Sequence, residues 1–569
     1  MIIGNGIMGG GPRERMREDR DRLSEIEVKL REWENGPLMK SLDTSPERDI
    51  LSELPKKRLY TPLDMVDFDY LRDLGFPGEP PFVRGYSPTM YRTRLWDMAQ
   101  YAGFGAPEDA RKRYNELLKA GGGGVSIAYD LPSQLGYDAD DPLVEAEVGL
   151  MGVSCCSLQD VEDIFTDIPM DRTWIRGSIS TLSIAFWAMY LAAAAKKGIH
   201  SQQLSGEVVT DCLHEFISRG NYIFPPKHAV RLSLDVMEYG LKHIPELKYQ
   251  IVSYTLRERG ATAVQEAAYA LAASLHFLNS ARARGMDVEN LAGHFEIHTA
   301  THIDLFEEVA KIRAIKRMWS KLMKERFNPK DPKVLGVRLG PITGGSPLTA
   351  QEPENNIIRV TIAALAGALG GSNYLATSSF DEAHAIPSAK AAKIALRTLQ
   401  IIGYESGVTD VVDPLGGSYY VESLTTEFEK RTLTYLKEIE DRGGIVNVIE
   451  TGWIQQEIAR SAYIRQKEID EGKRVIIGVN KFASDEKPVL ETHQANPDIV
   501  EKQKRRLKDL KRKRENEAVR SSLEKVGRVA RSKENLMPTI MEAVNDYATL
   551  GEICGILKEI FGDYTAISY

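Results

Sequence analysis

The sequence predicts an α/β protein built as a (β/α)8 TIM barrel, with an N-terminal arm and a helical C-terminal region. Short runs rich in β-forming residues alternate with helical patterns from about residue 85 to about residue 420, and this alternation is typical of parallel βαβ units. The chain has 569 residues. That length accommodates one barrel of roughly 250 residues or more together with further segments on either side.

The segments that flank the barrel have a different character. Residues 12–35 are rich in Glu, Arg and Lys with apolar residues between them, which predicts an exposed helix or arm that packs on a partner chain. Residues 36–84 carry scattered prolines and predict an extended linker. We therefore divide the chain into an arm and linker over residues 1–84, a barrel over residues 85–420 and a helical region over residues 421–569.

Six runs indicate barrel strands, and their spacing leaves room for two more. Helical segments such as Thr262–Arg282 and Leu305–Arg326 separate most of them. Because barrel enzymes carry their chemistry at the C-terminal ends of the strands, polar residues that close the runs are candidate site residues. The runs are Gly124–Asp130, Trp174–Ser180, Gln250–Leu256, His294–Thr301, Val334–Ile342 and Asn373–Ser379. The candidates are Asp130, Ser180, Tyr254, Thr255, His302, Thr343 and Ser378.

Two further stretches are predicted to be structural. The glycine run Gly121–Gly124 follows a helical pattern and precedes a strand, which favours a helix end and tight turn. A phosphate-binding loop would need the opposite order. Residues 501–535 mix Lys and Arg with Glu, so we interpret them as a solvated helix with paired charges and not as a nucleic-acid surface.

Composition excludes several classes of protein. The formal net charge is −8 and the isoelectric point about 5.9, so nothing suggests a nucleic-acid partner. The apolar stretch Ile184–Ala195 is too short to span a bilayer and predicts a buried helix. The four cysteines show neither metal-ligand spacing nor a disulfide framework, so we expect a cytoplasmic protein with no membrane association, and we expect the adjacent Cys155 and Cys156 to be buried. The four cysteines are Cys155, Cys156, Cys212 and Cys554.

One pattern offers a different function. His294, Glu296, His298 and His302 share one face if their segment is a strand, because side chains alternate with a period of two. Imidazoles and a carboxylate on one face could bind a divalent metal, as in a barrel metal-dependent hydrolase. The competing interpretation is that they are polar residues that line the barrel.

Several stretches resemble the large subunits of the methylmalonyl-CoA mutase family, and they follow the family's order through most of residues 80–560. They are Thr89–Tyr114, Gly123–Pro142, Glu215–Pro226, Arg257–Ala272, Phe306–Ala314, Ser346–Asn356, Phe380–Pro387, Glu405–Glu422 and Ile476–Phe482. The resemblance implies a (β/α)8 barrel whose centre takes the CoA chain and whose C-terminal face meets adenosylcobalamin. It implies an isomerase that rearranges a carbon skeleton through radicals, so residues 85–420 become an acyl-CoA-binding barrel.

The resemblance also assigns roles to residues. Tyr101 matches a tyrosine beside the corrin, and Glu258 and Glu382 match carboxylates that hold the adenosyl ribose hydroxyls. Arg219 matches an arginine that pairs with the free carboxylate of a succinyl or methylmalonyl group, which suits a guanidinium fork. The catalytic set is Tyr101, Tyr254 and Thr255. The further substrate-binding positions are Thr89, Met90, Arg94, Ser126 and Ser178.

The chain departs from the family pattern at several of these positions. Thr255 stands where the family carries a histidine that hydrogen-bonds the thioester carbonyl. Val209 replaces a glutamine near the acyl group, Arg176 a small polar pocket residue, and His294 an arginine that often holds CoA phosphate. Residues 340–342 read Gly-Pro-Ile in place of polar contacts.

These departures leave the acyl group open. Arg219 argues for a dicarboxylic substrate, because the isobutyryl and hydroxyisobutyryl mutases typically carry glutamine there; Ala128 also differs from the aspartate of the hydroxyisobutyryl type. The alternatives are methylmalonyl-CoA or succinyl-CoA on one side and a bulkier alkyl- or aryl-substituted succinyl-CoA on the other. A third alternative is a binding or scaffold subunit without activity.

The family's corrin-binding domain carries an Asp-x-His-x-x-Gly signature whose histidine ligates cobalt, and these 569 residues do not contain it. We therefore expect a separate small cobalamin-binding subunit, and with it a heterodimer or heterotetramer.

Overall fold

Eight parallel strands form the centre of the protein in a computed structural model that describes residues 12–44, 47, 51–177, 179–484 and 498–566. Three of the strands are interrupted by one or two residues. The strands are β1 (Asp97–Met98 and Tyr101–Ala102), β2 (Gly124–Ile127), β3 (Trp174–Gly177), β4 (Ser205–Val209), β5 (Glu246–Val252), β6 (Phe295–His298 and Ala300–Thr301), β7 (Arg338–Leu339 and Ile342–Thr343) and β8 (Tyr374–Leu375).

The strands close into a barrel. Each of β1 to β6 pairs in parallel with the next strand in the chain, and β6 continues to β7. An isolated bridge joins Ile342 of β7 to Ala376 beside β8, and β8 pairs with β1 through Tyr374 and Asp97. The predicted (β/α)8 barrel is confirmed. The two strands that the sequence pattern left unassigned are β1 and β4.

The strand ends differ from the predicted runs. The run Gln250–Leu256 was expected to be a strand, but β5 ends at Val252 and a short helix, Tyr254–Glu258, follows. The run Val334–Ile342 contains a 3-10 helix, Pro332–Leu335, before β7 begins. In both runs apolar and β-branched residues extend past the hydrogen-bonded ladder, so residue type alone overestimates the strand length.

A helix on the outside follows each strand. The predicted Leu305–Arg326 is a helix with these bounds, and Thr262 caps the helix that was predicted from Thr262 to Arg282. The apolar run around Ile184 is a buried helix, as expected. The barrel helices are α1 (Pro107–Lys119), α2 (Leu158–Ile164), α3 (Ser183–Lys196), α4 (Pro226–His243), α5 (Ala263–Ala283), α6 (Leu305–Arg326), α7 (Asn355–Leu369) and α8 (Ala389–Tyr404).

The glycine run acts as predicted. α1 ends at Lys119, and Gly121 then adopts a φ of +93°, a conformation that favours glycine. β2 begins at Gly124, where an added Cβ would lie 2.5 Å from the carbonyl oxygen of Trp174 in the neighbouring strand. The glycines therefore allow a tight helix-to-strand turn.

The N-terminal segment is more helical than expected. Helix Pro12–Trp33 agrees with the predicted arm, and its residues from Arg20 onward are mostly exposed. The predicted extended linker, in contrast, contains several short helices. They are the π-helix Glu34–Leu38, the α-helix Met39–Thr44, the 3-10 helices Pro62–Met65 and Met90–Arg92, and the π-helix Tyr70–Leu74. Local capping, such as Thr61 accepting from Leu63 N, stabilises such turns without hydrophobic periodicity.

Longer helices follow the barrel, as predicted. They are Tyr419–Asp441, Ile445–Glu450, Trp453–Asp470, Ile499–Lys513, Asn516–Ala530, Met537–Asn545 and Leu550–Phe561. The basic residues of Ile499–Lys513 pair with acids near the barrel, for example Arg506 with Glu108 at 2.7 Å and Lys504 with Glu145 at 2.8 Å. The apolar residues of Met537–Asn545 and Leu550–Phe561 belong to the same hydrophobic core as α3 and α6.

Four short elements complete the described chain: helices Leu131–Leu135 and Val288–Ala292 and the 3-10 helices Glu145–Glu147 and Ser201–Gln203. All four cysteines are free and buried, which agrees with the expectation for Cys155 and Cys156. In the described part of the chain, none of the helices combines the length and the apolar content that a membrane crossing requires.

Candidate functional site

A cavity of about 530 Å³ opens at the C-terminal ends of the barrel strands. We call it the mouth cavity. Its walls come from the ends of β1, β7 and β8 and from the segments that follow β4, β5 and β8. Six of the residues predicted for the site line it together: Tyr101, Arg219, Tyr254, Thr255, Glu258 and Glu382. Residues separated by up to 281 positions in the chain therefore face one space.

Arg219 supplies a cation to this cavity from the last position of the π-helix Glu215–Arg219, which follows β4. Its Nη2 donates to Gln134 Oε1 at 2.6 Å, and its Nη1 lies 3.4 Å from Glu215 Oε1. Burial raises the pKa of the Glu215 carboxyl, but Arg219 and His214 lower it by more, to about 2. Glu215 is thus a permanent anion that orients the guanidinium, while 29% of the Arg219 side chain stays accessible to a ligand.

Tyr254 and Thr255 follow β5 in the first turn of helix Tyr254–Glu258. The hydroxyl of Thr255 accepts a hydrogen bond from Ser218 Oγ at 2.8 Å. Ser218 immediately precedes Arg219, so this bond connects the segment after β5 to the segment after β4. Thr255 therefore has a short-range partner in the wall of the mouth cavity, where its side chain can offer only a small hydroxyl to a ligand.

Glu258 and Glu382 form an acidic pair at the rim. Glu258 accepts the backbone N–H groups of Gly345 at 3.0 Å and Ser346 at 2.6 Å, and Glu382 accepts that of Ser379 at 3.1 Å. An added Cβ on Gly345 would lie 3.5 Å from Glu382 Oε1 and 3.6 Å from Glu258 Oε2, so the two carboxylates flank this glycine.

The surroundings of the acidic pair favour a ligand with hydroxyl groups. Burial raises the pKa of both carboxyls above the ordinary value for Glu. Each carboxyl also faces the open cavity. Among the described residues, neither forms an ion pair within 4.0 Å. Two carboxylates without cations are acceptors for hydrogen-bond donors such as the hydroxyls of an adenosyl ribose, so the site fits this part of adenosylcobalamin.

Large apolar side chains on the rim of the mouth cavity are exposed. Tyr101 at the end of β1 is 47% exposed, and Met151, also in the cavity wall, is 61% exposed. Exposed large apolar side chains around a cavity commonly mark a binding surface.

The other predicted substrate-binding residues lie elsewhere. Thr89 and Arg94 are exposed residues before β1, where Thr89 bonds Thr93 and Arg94 pairs with Asp97 at 2.6 Å. Met90 is buried near Gly85 and Gly371. Ser126 is buried in β2 and accepts from Arg176 Nε at 2.9 Å. Ser178 lies outside the described residues.

The strand-end candidates divide into two groups. Tyr254, Thr255, Thr343 and Ser378 line the mouth cavity. Ser180 instead donates to Glu215, and His302 contacts Arg257, while Asp130 caps helix Leu131–Leu135. For these three the expectation of a cavity-lining role was wrong, because each is held by a neighbouring loop or helix.

The alternative metal set does not assemble. His294 lies before β6 and its ring nitrogens contact the carbonyls of Asn290 and Pro245. His302 lies beyond β6 at Arg257. Only Glu296 and His298 point into the barrel, where Glu207 joins them within 4.8 Å. Arg338 and Arg176 contact these two residues, and such cations disfavour a metal ion. The alternative of one metal site built from all four residues is therefore wrong.

Some functional candidates were missed by sequence reasoning. Gln134 and Glu215 hold Arg219, yet neither ends a strand. Glu207 lies in β4, a strand whose short sequence, Ser-Gly-Glu-Val-Val, gave no clear pattern. The sequence gave a signal for Arg176 only, because this large cation stands where the family carries a small polar pocket residue.

Comparison with known proteins agrees with this geometry. A family model described as methylmalonyl-CoA mutase matches residues 50–563. The 2-hydroxyisobutanoyl-CoA mutase large subunit of Aquincola tertiaricarbonis is 39% identical over 548 residues, which cover 95% of this chain and 97% of that protein. The methylmalonyl-CoA mutase of Rhizobium meliloti is 38% identical over 95% of this chain and 76% of its own length. The methylmalonyl-CoA mutase large subunit of Streptomyces virginiae is 35% identical over 91% and 72%. The chain therefore belongs to the methylmalonyl-CoA mutase family, whose members are adenosylcobalamin-dependent acyl-CoA mutases.

Proposed function

We propose that this chain is the large, substrate-binding subunit of an adenosylcobalamin-dependent mutase that rearranges the carbon skeleton of a dicarboxylic acyl-CoA. One observation carries the proposal: Arg219, Glu258 and Glu382 line the same cavity at the C-terminal ends of the barrel strands. The cation of Arg219 suits a substrate carboxylate, and the two carboxylates suit sugar hydroxyls as hydrogen-bond acceptors. All three groups thus face the mouth cavity.

The acyl group has two candidate forms. The first is the methylmalonyl and succinyl type, and several relatives are named methylmalonyl-CoA mutase. The second is a succinyl group with a bulkier alkyl or aryl substituent, which the apolar wall residues Ala128, Ile342 and Ala376 support. Both forms carry a free carboxylate for Arg219.

The residues divide the work of the site. When bound, adenosylcobalamin supplies a carbon radical that can remove a hydrogen atom from the substrate. Glu258 and Glu382 hold the ribose hydroxyls, and Arg219 fixes the substrate carboxylate through its guanidinium fork. Tyr101, at the exposed rim, and Tyr254 cover the space in between and exclude water from a reactive intermediate.

We further propose that a separate small subunit carries the cobalt-ligating histidine. The match along 97% of a protein named a large subunit supports a split arrangement. The apolar rim around Tyr101 and Met151 is where we expect this subunit to dock, giving a heterodimer or heterotetramer. Four buried free thiols suit the reducing cytoplasm as its location.

Replacing Arg219 by Ala tests the proposal. The change should weaken the binding of succinyl-CoA, and of succinate if the chain binds it, by roughly 10- to 100-fold. The reason is the loss of a hydrogen-bonded charge pair between Arg219 and the free carboxylate. Binding of butyrate and butyryl-CoA, which lack that carboxylate, should change little. Titration calorimetry on the purified chain measures both.

The matched control is Arg326→Ser, which removes an outer arginine paired with Glu440. This variant should bind all four compounds as the unchanged chain does. An equal loss of affinity for dicarboxylic and monocarboxylic compounds in Arg219→Ala would contradict the proposed role.

A further inference from the structure

Arg176 faces the mouth cavity together with Arg219. It belongs to β3 and lines the cavity from inside the barrel, whereas Arg219 lines it from the segment that follows β4. Tyr101 and Tyr254 lie within electrostatic reach of both guanidiniums. The proposed function uses Arg219 for the substrate carboxylate, which leaves Arg176 without a role.

Neighbouring side chains hold the Arg176 guanidinium in one orientation. Its Nε donates to Ser126 Oγ of β2 at 2.9 Å, and its Nη1 lies 3.5 Å from His298 Nδ1 of β6. The guanidinium carbon lies over the ring of Tyr374 in β8, 5.0 Å from the ring centroid. Among the described residues, no hydrogen bond uses the third nitrogen, Nη2. This nitrogen is therefore left for a ligand in the cavity.

The carboxylates near Arg176 are engaged by other cations. The contacts are His298 with Glu207 at 2.5 Å, Arg338 with Glu296 at 2.8 Å and Arg338 with Asp97 at 3.3 Å. In the described part of the chain, no carboxylate oxygen lies within 4.0 Å of an Arg176 nitrogen. Burial lowers the pKa of the Arg176 guanidinium, but Tyr374 and Glu207 raise it by more, so the group stays charged. A buried charged donor is stabilised when a ligand supplies the missing acceptor.

The acyl half of a dicarboxylic acyl-CoA carries two groups that need hydrogen-bond donors, the free carboxylate and the carbonyl oxygen of the thioester. Arg219 keeps 29% of its side chain accessible, whereas Arg176 is buried. Moving an ionised carboxylate out of water costs far more free energy than moving a neutral carbonyl group. The more open Arg219 therefore suits the carboxylate, and the more buried Arg176 suits the carbonyl oxygen.

Two other polar side chains of the cavity are less suited to the carbonyl. Arg113 of α1 also lines the cavity, but its Nε lies 3.5 Å from Glu116 of the same helix. The hydroxyl of Thr255 accepts from Ser218 at 2.8 Å and carries no charge. Arg176 is thus the charged donor that the barrel strands themselves direct to the floor of the cavity.

We propose that Arg176 is a second substrate-binding residue, which donates from Nη2 to the thioester carbonyl oxygen of the acyl-CoA while Arg219 binds the free carboxylate. The inference rests on the proposed function, the rearrangement of a dicarboxylic acyl-CoA, and names the donor for the second polar group of that substrate. Ser126 is a positioning residue in this arrangement, because its bond to Nε orients the guanidinium. The two arginines together fix both ends of the acyl group.

Two ligands that differ only at the carbonyl test the inference on the full-length chain. Succinyl-CoA carries the thioester carbonyl, whereas S-(3-carboxypropyl)-CoA has a CH2 group in its place and keeps the free carboxylate. Arg176→Met should weaken the binding of succinyl-CoA by roughly 10- to 100-fold, the loss of one charge-assisted hydrogen bond, and that of the thioether by less than about 3-fold. Arg219→Ala should weaken the binding of both ligands alike. Titration calorimetry measures these affinities.

Infrared difference spectroscopy of bound succinyl-CoA, labelled with 13C at the thioester carbonyl, reports on the hydrogen bond itself. A charged donor polarises the carbonyl group and lowers its stretching frequency, so the band should lie at lower wavenumber in the unchanged chain than in Arg176→Met. Arg176→Lys keeps the charge without the planar fork, and Ser126→Ala removes only the positioning bond. Each should weaken the binding of succinyl-CoA by a smaller factor, roughly 2- to 10-fold, and move the band by less.

Thermal unfolding identifies any variant that fails to fold, and if Arg176→Met fails, Arg176→Lys and Ser126→Ala decide. Arg326→Ser again serves as the control and should bind both ligands as the unchanged chain does. Equal effects on the two ligands in the folded Arg176 and Ser126 variants, or a carbonyl band that none of them moves, would overturn this inference alone, provided that Arg219→Ala still weakens both ligands. If Arg219→Ala affects neither ligand, or if the unchanged chain binds neither, the proposed function fails and this inference fails with it.

Discussion

Asp130 at the end of β2 is a fully buried carboxylate with a local role. Its Oδ1 accepts the backbone N–H of Ser133 at 3.0 Å, and its Oδ2 accepts that of Gly149 at 2.8 Å. Burial raises the pKa of this carboxyl to about 6 from 3.8, although the hydrogen bonds oppose that shift. The residue joins two loops at the barrel mouth and at the same time makes the folded state sensitive to pH.

Asp130→Asn should reveal this sensitivity. Between pH 3.8 and about 6 the folded protein holds a proton that the unfolded chain has released, so the contribution of Asp130 to the free energy of unfolding falls as pH rises, by about 3 kcal/mol in all. Asparagine cannot ionise, but its NH2 group would face the backbone N–H of either Ser133 or Gly149. Because two donors then face each other, the folded state loses roughly 1–3 kcal/mol of stability. The variant should be less stable than the unchanged chain at pH 4, and the difference should shrink or reverse by pH 7.

Urea unfolding of both chains across this pH range measures the difference between their free energies of unfolding. The two chains share all other titratable groups, so the contributions of those groups cancel in the difference. A difference that stays constant with pH would contradict a raised pKa for Asp130.

Single residues of the site were predictable to a limited extent. The resemblance identified Arg219, Glu258 and Glu382, and the mouth cavity includes all three. The rule that strand ends carry function selected Thr343 and Ser378, which line the mouth cavity, but also Asp130, Ser180 and His302, which do not. A sequence does not distinguish a polar side chain that faces the cavity from one that bonds an adjacent loop, because both satisfy the same need for hydrogen bonds.

At the level of elements, α5 and α6 are joined by a buried ion network. Lys311 of α6 is completely buried, and its Nζ lies 2.6 Å from Glu266 of α5 and 2.5 Å from Glu308. Arg257, from the helix after β5, approaches Glu308 at 3.1 Å. The network positions helix Tyr254–Glu258, which carries three residues of the mouth cavity.

Lys311→Met should destabilise the protein by about 3–5 kcal/mol, because it removes the nearer cation from two buried carboxylates and leaves Arg257 alone to face both. Lys437→Met is the matched control, since Lys437 pairs with Asp441 on an exposed helix surface and both side chains are more than 60% exposed. Its loss should change stability by no more than about 0.5 kcal/mol. Chemical unfolding of the two variants gives the comparison, and similar values for both would exclude a structural role for the network.

The order and type of the elements followed from the sequence more reliably than their ends. α6 was predicted with its observed bounds, and in the structure Asp304 caps its first turn. β1 and β4 were not assigned. β1 has only four paired residues in two segments, and its place is set by the closure of the barrel through β8, which local sequence does not encode.

For the molecule as a whole, the C-terminal helices and the barrel share one hydrophobic core. Helix Met537–Asn545 packs on α3. Phe561 contacts Phe224 with ring centroids 5.6 Å apart, and Arg231 of α4 donates to the carbonyl oxygens of Val529 and Ala530. The C-terminal helices thus cover barrel helices directly, and we expect the two parts to unfold together.

Leu557→Ala tests this coupling, because Leu557 is fully buried in helix Leu550–Phe561 while the buried tryptophans Trp187 and Trp319 lie in α3 and α6. Truncating a buried leucine costs roughly 2–5 kcal/mol. If the core is continuous, the thermal transition seen by tryptophan fluorescence should shift to lower temperature with that seen by circular dichroism. Leu143→Ala is the control, because Leu143 is 81% exposed. This variant should change the free energy of unfolding by no more than about 0.5 kcal/mol and leave both transitions nearly where they are. An early loss of helix signal in Leu557→Ala, with the tryptophan transition unchanged, would instead mean that the C-terminal helices unfold independently of the barrel.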